Sequence, residues 1–347
     1  MNLAKLSTLA LAFFVTACKA APALPLPASP PPAVTVASAP APQQPPPPPP
    51  AASHGSGKVT GAAVLHLTQQ FITAAPKRFA GSPGHAAAEA FIKAHFLPEA
   101  EKGNFIPDPF TATTPIGPVS MTNYIVKFPG KKDGIIVFAS HYETNYPLKD
   151  IDFVGANDGA CTSALLIALG QYYRANPPQG YSVWLVFDDG EEAIDNPPYN
   201  ANQWTASNSL YGTRHLAAKW SGDGTIAHIK AFIVADMIGY KDLNIDKDAN
   251  STPWLLDLLA KAGKDTGHSA YLFKNPTQVE DDHIPFKQRG VPVLDIIDLD
   301  YGPPTQDRPE GAYHHTDKDT MDKLSANALQ VSADLFVDIV KLIDQKL

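Results

Sequence analysis

The sequence has little cysteine and little positive charge. Its 347 residues include two cysteines, Cys18 and Cys161, and 27 lysines and arginines against 35 aspartates and glutamates. Two cysteines, one of them within the first 18 residues, are too few for a disulfide framework. The net charge of −8 argues against a basic surface that could bind a phosphate backbone, so we expect no nucleic acid partner.

The apolar run near the N-terminus is too short to cross a membrane as a helix. Residues 1–18 place a lysine before the apolar run Leu9 to Val15 and small residues after it, which is typical of a secretory signal peptide. The four residues ending at Cys18 resemble a bacterial lipobox, with ordinary cleavage within residues 17–22 as the alternative. We therefore expect an exported bacterial lipoprotein, periplasmic or anchored in the outer membrane, attached only through a lipidated Cys18.

Residues 19–57 have few of the large apolar side chains that build a core. They are mainly alanine, proline and serine and include the run PQQPPPPPP. Such a composition favours extended polyproline II and a semi-rigid spacer. We interpret it as a linker between the signal segment and a folded catalytic domain, residues 58–347. We find no internal repeat in that domain and expect a monomer.

Apolar strands alternate with helical patterns along the folded domain. Strands are predicted at residues 122–128, 134–140, 181–187, 229–235 and 291–297. Helices are predicted at 59–74, 85–97, 160–174 and 253–266, from a Ser207 or Asn208 cap through Lys219, and after a Ser325 cap. This alternation predicts an α/β fold, a three-layer αβα sandwich with a central, largely parallel mixed sheet.

One strand leads directly into a cluster of acids. The apolar run Val183 to Phe187 is followed by four carboxylates around Gly190: Asp188, Asp189, Glu191 and Glu192. Like charges beside a core strand are costly unless a cation, protons or hydrogen-bond donors compensate them. A solvated acidic loop is the alternative interpretation.

Other candidate ligands follow neighbouring strands. His141 ends one apolar strand and Asp236 ends another, while Asp158 lies in a turn before a helix. Because functional sites form at the carboxyl ends of strands in open α/β sheets, these groups could meet the acidic turn and the late segment 313–317. Imidazole with carboxylates suits zinc. Each group also has an ordinary alternative, namely a core histidine, a helix N-cap or a surface pair of histidines.

The order of these motifs resembles the zinc aminopeptidase superfamily, peptidase family M28, and more narrowly its animal-type (type II) glutaminyl-peptide cyclotransferases. The resemblance covers residues 65–345, and its most specific part runs from Asp281 to Leu294. The shared stretches are Gly81–Gly84 (GSPG), Ser140–Tyr142 (SHY), Val154–Ala156 (VGA), Asp189–Ala193 (DGEEA), Ser209–Gly212 (SLYG), Arg214–Lys219 (RHLAAK), Asp281–Phe286 (DDHIPF) and Arg289–Leu294 (RGVPVL).

The resemblance implies a metal site. By position, Asp158, Glu192 and His315 correspond to the ligands of a single zinc ion. In the peptidase relatives, His141 and Asp236 would hold a second zinc. One zinc is therefore expected for a cyclase and two for a peptidase.

The resemblance also implies catalytic roles. Glu191 corresponds to the general acid/base, and Asp236 and Asp281 to carboxylates that share a hydrogen-bond network with it. Trp204 corresponds to a tryptophan that borders the substrate pocket. The implied enzyme is a zinc-dependent acyltransferase. It converts the N-terminal glutamine of peptides or proteins into pyroglutamate and releases ammonia. A two-zinc aminopeptidase is the alternative, and an inactive binding module on the same fold is a remote one.

The sequence departs from the animal pattern in three places. The loop over residues 193–203 is longer, and His314 stands where those enzymes have a tryptophan. Their paired cysteines are absent, with Ser140 in one of the two places, so Cys161 is expected to be free and buried. The His314 departure concerns the shape of the pocket more than the chemistry.

Overall fold

The computed structural model describes residues 58–195 and 204–347. Its helices are α1 Gly61–Ala74, α2 Pro83–His95, α3 Leu97–Glu101, α4 Cys161–Ala175, α5 Tyr211–Gly222, α6 Pro253–Asp265, α7 Ile284–Lys287 and α8 Ala326–Lys346. Its strands are β1 Phe105–Thr114, β2 Gly117–Phe128, β3 Lys132–His141, β4 Tyr181–Asp188, β5 Ile229–Asp236, β6 Ile245–Asp248, β7 Leu272–Thr277 and β8 Val293–Ile297. The predicted signal segment, the predicted linker and most of the 193–203 loop lie outside the described residues.

A six-stranded mixed sheet forms the centre, in the order β1-β2-β4-β3-β5-β8. Strands β4, β3, β5 and β8 are mutually parallel, whereas β1 pairs with β2 and β2 with β4 in antiparallel fashion. The parallel register places His141 opposite Asp188 and Asp236 opposite Ile297. The carboxyl ends of these strands therefore meet at one edge, where sites form in open α/β sheets.

Helices cover both faces of the sheet, which confirms the three-layer prediction. On one face, α1, α4, α6 and α8 share the main hydrophobic core with the sheet. On the other face, Leu216 and Trp220 of α5 and Phe286 of α7 pack against Val137 and Phe232 in a second core. Both layers exclude water from the strands, so polar groups at the strand ends lie beside low-dielectric protein.

The helix caps were only partly predictable. Ser325 caps α8 as predicted, because its hydroxyl accepts a hydrogen bond from the backbone N–H of Ala328 at 3.0 Å. The predicted Ser207 or Asn208 cap of α5 is wrong: that helix begins at Tyr211 after Leu210, whose φ is +55°. The start of α5 is fixed instead by backbone hydrogen bonds from the Leu210 and Tyr211 N–H groups to the carbonyl oxygens of the 190–191 turn.

Within the described residues, every helix is too short or too polar to pass through a bilayer.

Candidate active site and metal centre

A small cavity of about 190 Å³ opens at the carboxyl edge of the sheet. Its walls bring together seven of the eight residues singled out from the sequence: Asp158, Glu191, Glu192, Trp204, Asp236, Asp281 and His315. The eighth, His141, is 2% exposed and in contact with two of the lining carboxylates. The cavity therefore brings together residues up to 157 positions apart in the chain (315 − 158 = 157), of which Trp204 and Asp281 were expected only from the family resemblance.

Asp158 lies between two histidines. Its Oδ2 is 3.4 Å from His315 Nε2, and its Oδ1 is 3.2 Å from His141 Nε2. His315 Nε2 is also 3.1 Å from Glu192 Oε2, and His141 Nε2 is 3.4 Å from Asp236 Oδ1. Asp158 therefore belongs to two groups of possible metal ligands. One group contains His315 and Glu192, and the other contains His141 and Asp236.

The donor set fits a divalent cation. Donor atoms of His141, Asp158 and Asp236 lie within 4.8 Å of one another, as do those of Asp158, His314 and His315. Several are buried without a hydrogen-bond partner, namely both ring nitrogens of His141, Asp158 Oδ2, Glu192 Oε1 and Asp236 Oδ1. Buried polar atoms are normally satisfied, and imidazole with carboxylate is a ligand set for zinc. Each of these two groups can therefore hold a metal. Neither group contains the predicted ligand Glu192, which lies against the second one through its contact with His315.

The turn that presents Asp158 is held from both sides. Gly155 and Gly159 adopt φ values of +52° and +84°, which reverse the chain before α4. The Asp319 carboxylate accepts hydrogen bonds from the N–H groups of Asn157 at 2.8 Å and Asp158 at 3.1 Å. Tyr301 donates its hydroxyl to the same carboxylate at 2.6 Å.

A buried arginine supports the same region. Arg78 is fully buried and donates to the carbonyl oxygens of Tyr142, Val154 and Gly155 at 2.9, 2.8 and 3.1 Å. Burial lowers the pKa of Arg78 to about 10, while the charges of Asp158 and Asp319 act in the opposite direction. Sequence reasoning missed Arg78 and Asp319, because nothing in their local sequence indicates that they support the Asp158 turn.

The three acids that follow β4 have different surroundings. Asp189 turns away from the cavity and accepts from the Tyr142 hydroxyl at 2.9 Å, and His85 Nε2 lies 2.8 Å from its Oδ1. Glu192 accepts from the Asn145 side-chain amide at 2.6 Å. Glu191 lines the cavity beside Glu192 and is 8% exposed. The turn is therefore a set of positioned groups and not the solvated loop that was the alternative.

Electrostatics separates the carboxylates further. Burial raises the pKa of Glu191 well above its ordinary value, and the charges of Glu192 and Asp281 add to this against the opposing effect of His141. Burial and the charge of Asp236 likewise raise the pKa of Asp281. Although burial opposes it, contact with the two histidines holds the pKa of Asp158 well below its usual range. The lowered pKa of Asp158 suits an anionic ligand, and the raised pKa of Glu191 suits a group that exchanges a proton near neutral pH.

The comparisons with known proteins agree with this geometry. Residues 123–340 match the model of the family described as Peptidase family M28. The chain is similar to a Bos taurus glutaminyl-peptide cyclotransferase-like protein, with 31% identity over 63% of this chain and 62% of that protein, so it spans less than two thirds of that relative. It is also similar to a Boiga irregularis glutaminyl-peptide cyclotransferase, with 31% identity over 72% of this chain and 75% of that one. Among solved structures, an Acidobacteriales bacterium glutaminyl cyclase has 64% identity and a TM-score of 0.80 over 86% of this chain and 99% of its own.

Proposed function

The chain belongs to peptidase family M28 and to its glutaminyl-peptide cyclotransferase branch, and on this premise we propose that it cyclises N-terminal glutamine. The substrates would be peptides or proteins that begin with glutamine, and the products pyroglutamyl chains and ammonia. The observation that carries the proposal is the position of Glu191, which lines the small cavity directly beside the Asp158, Glu192 and His315 group.

Asp158, Glu192 and His315 are the proposed ligands of one zinc ion. When bound there, zinc supplies Lewis-acid polarisation of the side-chain amide of the substrate. Neutral imidazole and ionised carboxylates are required for ligation. The lowered pKa of Asp158 meets that requirement for one carboxylate, whereas burial raises the pKa of Glu192, so ligation by Glu192 would have to displace a proton.

Glu191 is the proposed proton carrier. The α-amine attacks the side-chain amide carbon, so a new C–N bond forms while the bond to the amide nitrogen breaks. Glu191 accepts one proton from the attacking amine and returns it to the leaving nitrogen, which departs as ammonia. A carboxylate of ordinary pKa would return that proton poorly near neutral pH, whereas burial gives Glu191 a raised pKa.

The remaining groups position and enclose the substrate. Trp204 forms one wall of the cavity, and Asp281 lies on the wall with Glu191. Asp281 accepts a hydrogen bond from the backbone N–H of Asp282 and has a raised pKa. We propose that Asp236 and Asp281 share protons with Glu191. The cavity would hold the α-amine and the side-chain amide of the substrate glutamine in a reactive orientation, and fixing that orientation is the main entropic contribution to an intramolecular reaction.

One observation favours a second candidate, a two-metal aminopeptidase. His141, Asp158 and Asp236 also form a group of metal-binding spacing. In that case the same glutamate would activate water and cleave a peptide bond. A catalytically inactive binding module, the remote alternative, would need neither the metal nor Glu191.

The experiment that separates these functions uses the purified protein, its metal content and a peptide that begins with glutamine. About one zinc per chain and ammonia release with an unshortened peptide support the cyclase. Two zinc ions and a released free amino acid support the peptidase. A metal-free protein without turnover supports the binding module.

Export is proposed separately from catalysis. The signal segment, the lipobox ending at Cys18 and the proline-rich linker support a catalytic domain that is tethered to a membrane surface outside the cytoplasm. Mass spectrometry of the mature protein tests this: a lipidated Cys18 at its N-terminus supports the tether. Cleavage elsewhere within residues 17–22, without lipid, contradicts it.

A further inference from the structure

A second histidine stands next to the proposed ligand His315. The rings of His314 and His315 are 4.0 Å apart between centroids and are inclined at 40°. Adjacent side chains point to opposite sides of an extended chain. Here His315 has a φ of +51°, and this left-handed turn brings both rings to the same cavity.

His314 lines the cavity, and its ring also lies where it could bind a metal. A ring nitrogen of His314 lies within 4.8 Å of donor atoms of both Asp158 and His315. Its backbone is fixed, because Arg308 donates a hydrogen bond to the His314 carbonyl oxygen at 2.8 Å. No hydrogen bond to the His314 ring is found among residues 58–195 and 204–347, so the ring is available to bind.

We propose that His314 is a fourth, exchangeable protein ligand of the metal that Asp158, Glu192 and His315 would hold. Zinc sites are usually four-coordinate, and a site closed by four protein ligands has no position for substrate. His314 would therefore bind in the resting protein and give up its place to the substrate. In this proposal the exchange is a rotation of the His314 side chain, while the hydrogen bond from Arg308 holds its backbone.

This inference rests on the proposed metal centre, and it makes two predictions of its own. Removing His314 should weaken metal binding by about tenfold to a hundredfold, since even a residue that only orients a ligand has an effect of that size. It should also lower KM for glutamine peptides, because the substrate no longer competes with a side chain.

The test compares His314→Gln with a matched control, His228→Gln. His228 is an exposed histidine whose side chain is 55% accessible and lies 3.4 Å from Asp133. It precedes β5, at the end of that strand opposite Asp236. Zinc affinity is measured by competition with a chelator, and ligand number is read from the visible absorption of the cobalt-substituted proteins before and after a glutamine peptide is added. Thermal unfolding of each metal-free variant checks that it folds.

Three outcomes are distinct. Weaker zinc binding and an altered cobalt spectrum in His314→Gln, with His228→Gln unchanged, support His314 as a ligand. If the wild-type protein binds one metal and His314→Gln binds it equally well with the same cobalt spectrum, the inference is overturned while the proposed function stands. A wild-type protein that binds no metal overturns the inference and the proposed metal centre together.

Discussion

The carboxylate of Asp319 accepts a hydrogen bond from the backbone N–H of Asp158, with 3.1 Å between Oδ2 and the nitrogen. Its other oxygen accepts from the Asn157 N–H and the Tyr301 hydroxyl. A residue late in the chain thus sets the direction of a proposed metal ligand 161 positions earlier. Burial raises the pKa of Asp319 to about 7, with the charge of Asp158 as the next cause.

Asp319→Asn should weaken metal binding without displacing a ligand. The substitution replaces one of the two acceptor oxygens with a donor, so one of the turn N–H groups loses its partner. Loss of an orienting hydrogen bond to a ligand typically costs about 10–100-fold in metal affinity. Chelator competition measures this, with the exposed Asp317→Asn as the control, and equal affinities in the two variants would remove Asp319 from the positioning role.

Arg78→Met should destabilise the whole domain. It leaves the buried carbonyl oxygens of Tyr142 and Gly155, and the half-buried one of Val154, without their donor. Each unsatisfied buried group costs about 1–3 kcal/mol, so we expect a loss of about 3 kcal/mol or more in the free energy of unfolding. Urea unfolding of Arg78→Met measures this loss, and Arg289→Met, a substitution at an exposed arginine, is the control. A loss below about 1 kcal/mol would contradict this account.

His85 should make stability depend on pH. Burial opposes its protonation, but the adjacent Asp189 raises the pKa of His85 to about 9. Because the folded-state pKa is above the ordinary value of about 6.5, this stabilisation is complete below pH ~6.5 and is lost as pH rises through about 9. The shift corresponds to about 3 kcal/mol at most.

The measurement is chemical unfolding at several pH values from 6 to 10. The wild type should lose stability across the upper part of that range, and His85→Gln should lose much less there. If stability falls with pH equally in the wild type and in His85→Gln, the pair of His85 and Asp189 does not contribute to the pH dependence of stability. The exposed His66→Gln variant controls for removing a histidine.

Glu191→Gln should bind metal normally and lose most turnover. Glutamine keeps the size of the side chain but cannot carry the proton, and general acid–base catalysis typically contributes about 10²–10⁴-fold. In the wild type, the pH profile of kcat/KM should fall on its acidic side with a midpoint above the ordinary glutamate pKa, because burial raises the pKa of Glu191. Near-normal activity in this variant would remove Glu191 from the role of base.

Much of the site was predictable because it depends on strand ends. The apolar runs that became β3, β4 and β5 are continuous, and each leads to a polar residue at the same edge of the sheet. The hairpin strand β1 was missed because Pro107 and Pro109 interrupt its pattern. Proline is tolerated there because β1 is an edge strand, a fact that only the sheet order reveals.

The supporting groups were not predictable for a different reason. Arg78 and Asp319 act on backbone atoms more than 60 positions away, through contacts that leave no local pattern. The α5 cap failed similarly, since the positive φ of Leu210 is imposed by hydrogen bonds to the 190–191 turn. Sequence patterns identify ligands by residue type, whereas the groups that orient them are defined by tertiary contacts.

The most direct test of cyclisation follows the two nitrogens of a substrate glutamine separately. A peptide whose N-terminal glutamine carries nitrogen-15 only in its side-chain amide is incubated with the zinc-loaded protein and analysed by mass spectrometry. The account predicts that all the label leaves as ammonia while the peptide keeps every residue and its α-nitrogen. Label recovered in free glutamine, with the peptide shortened by one residue, would contradict it.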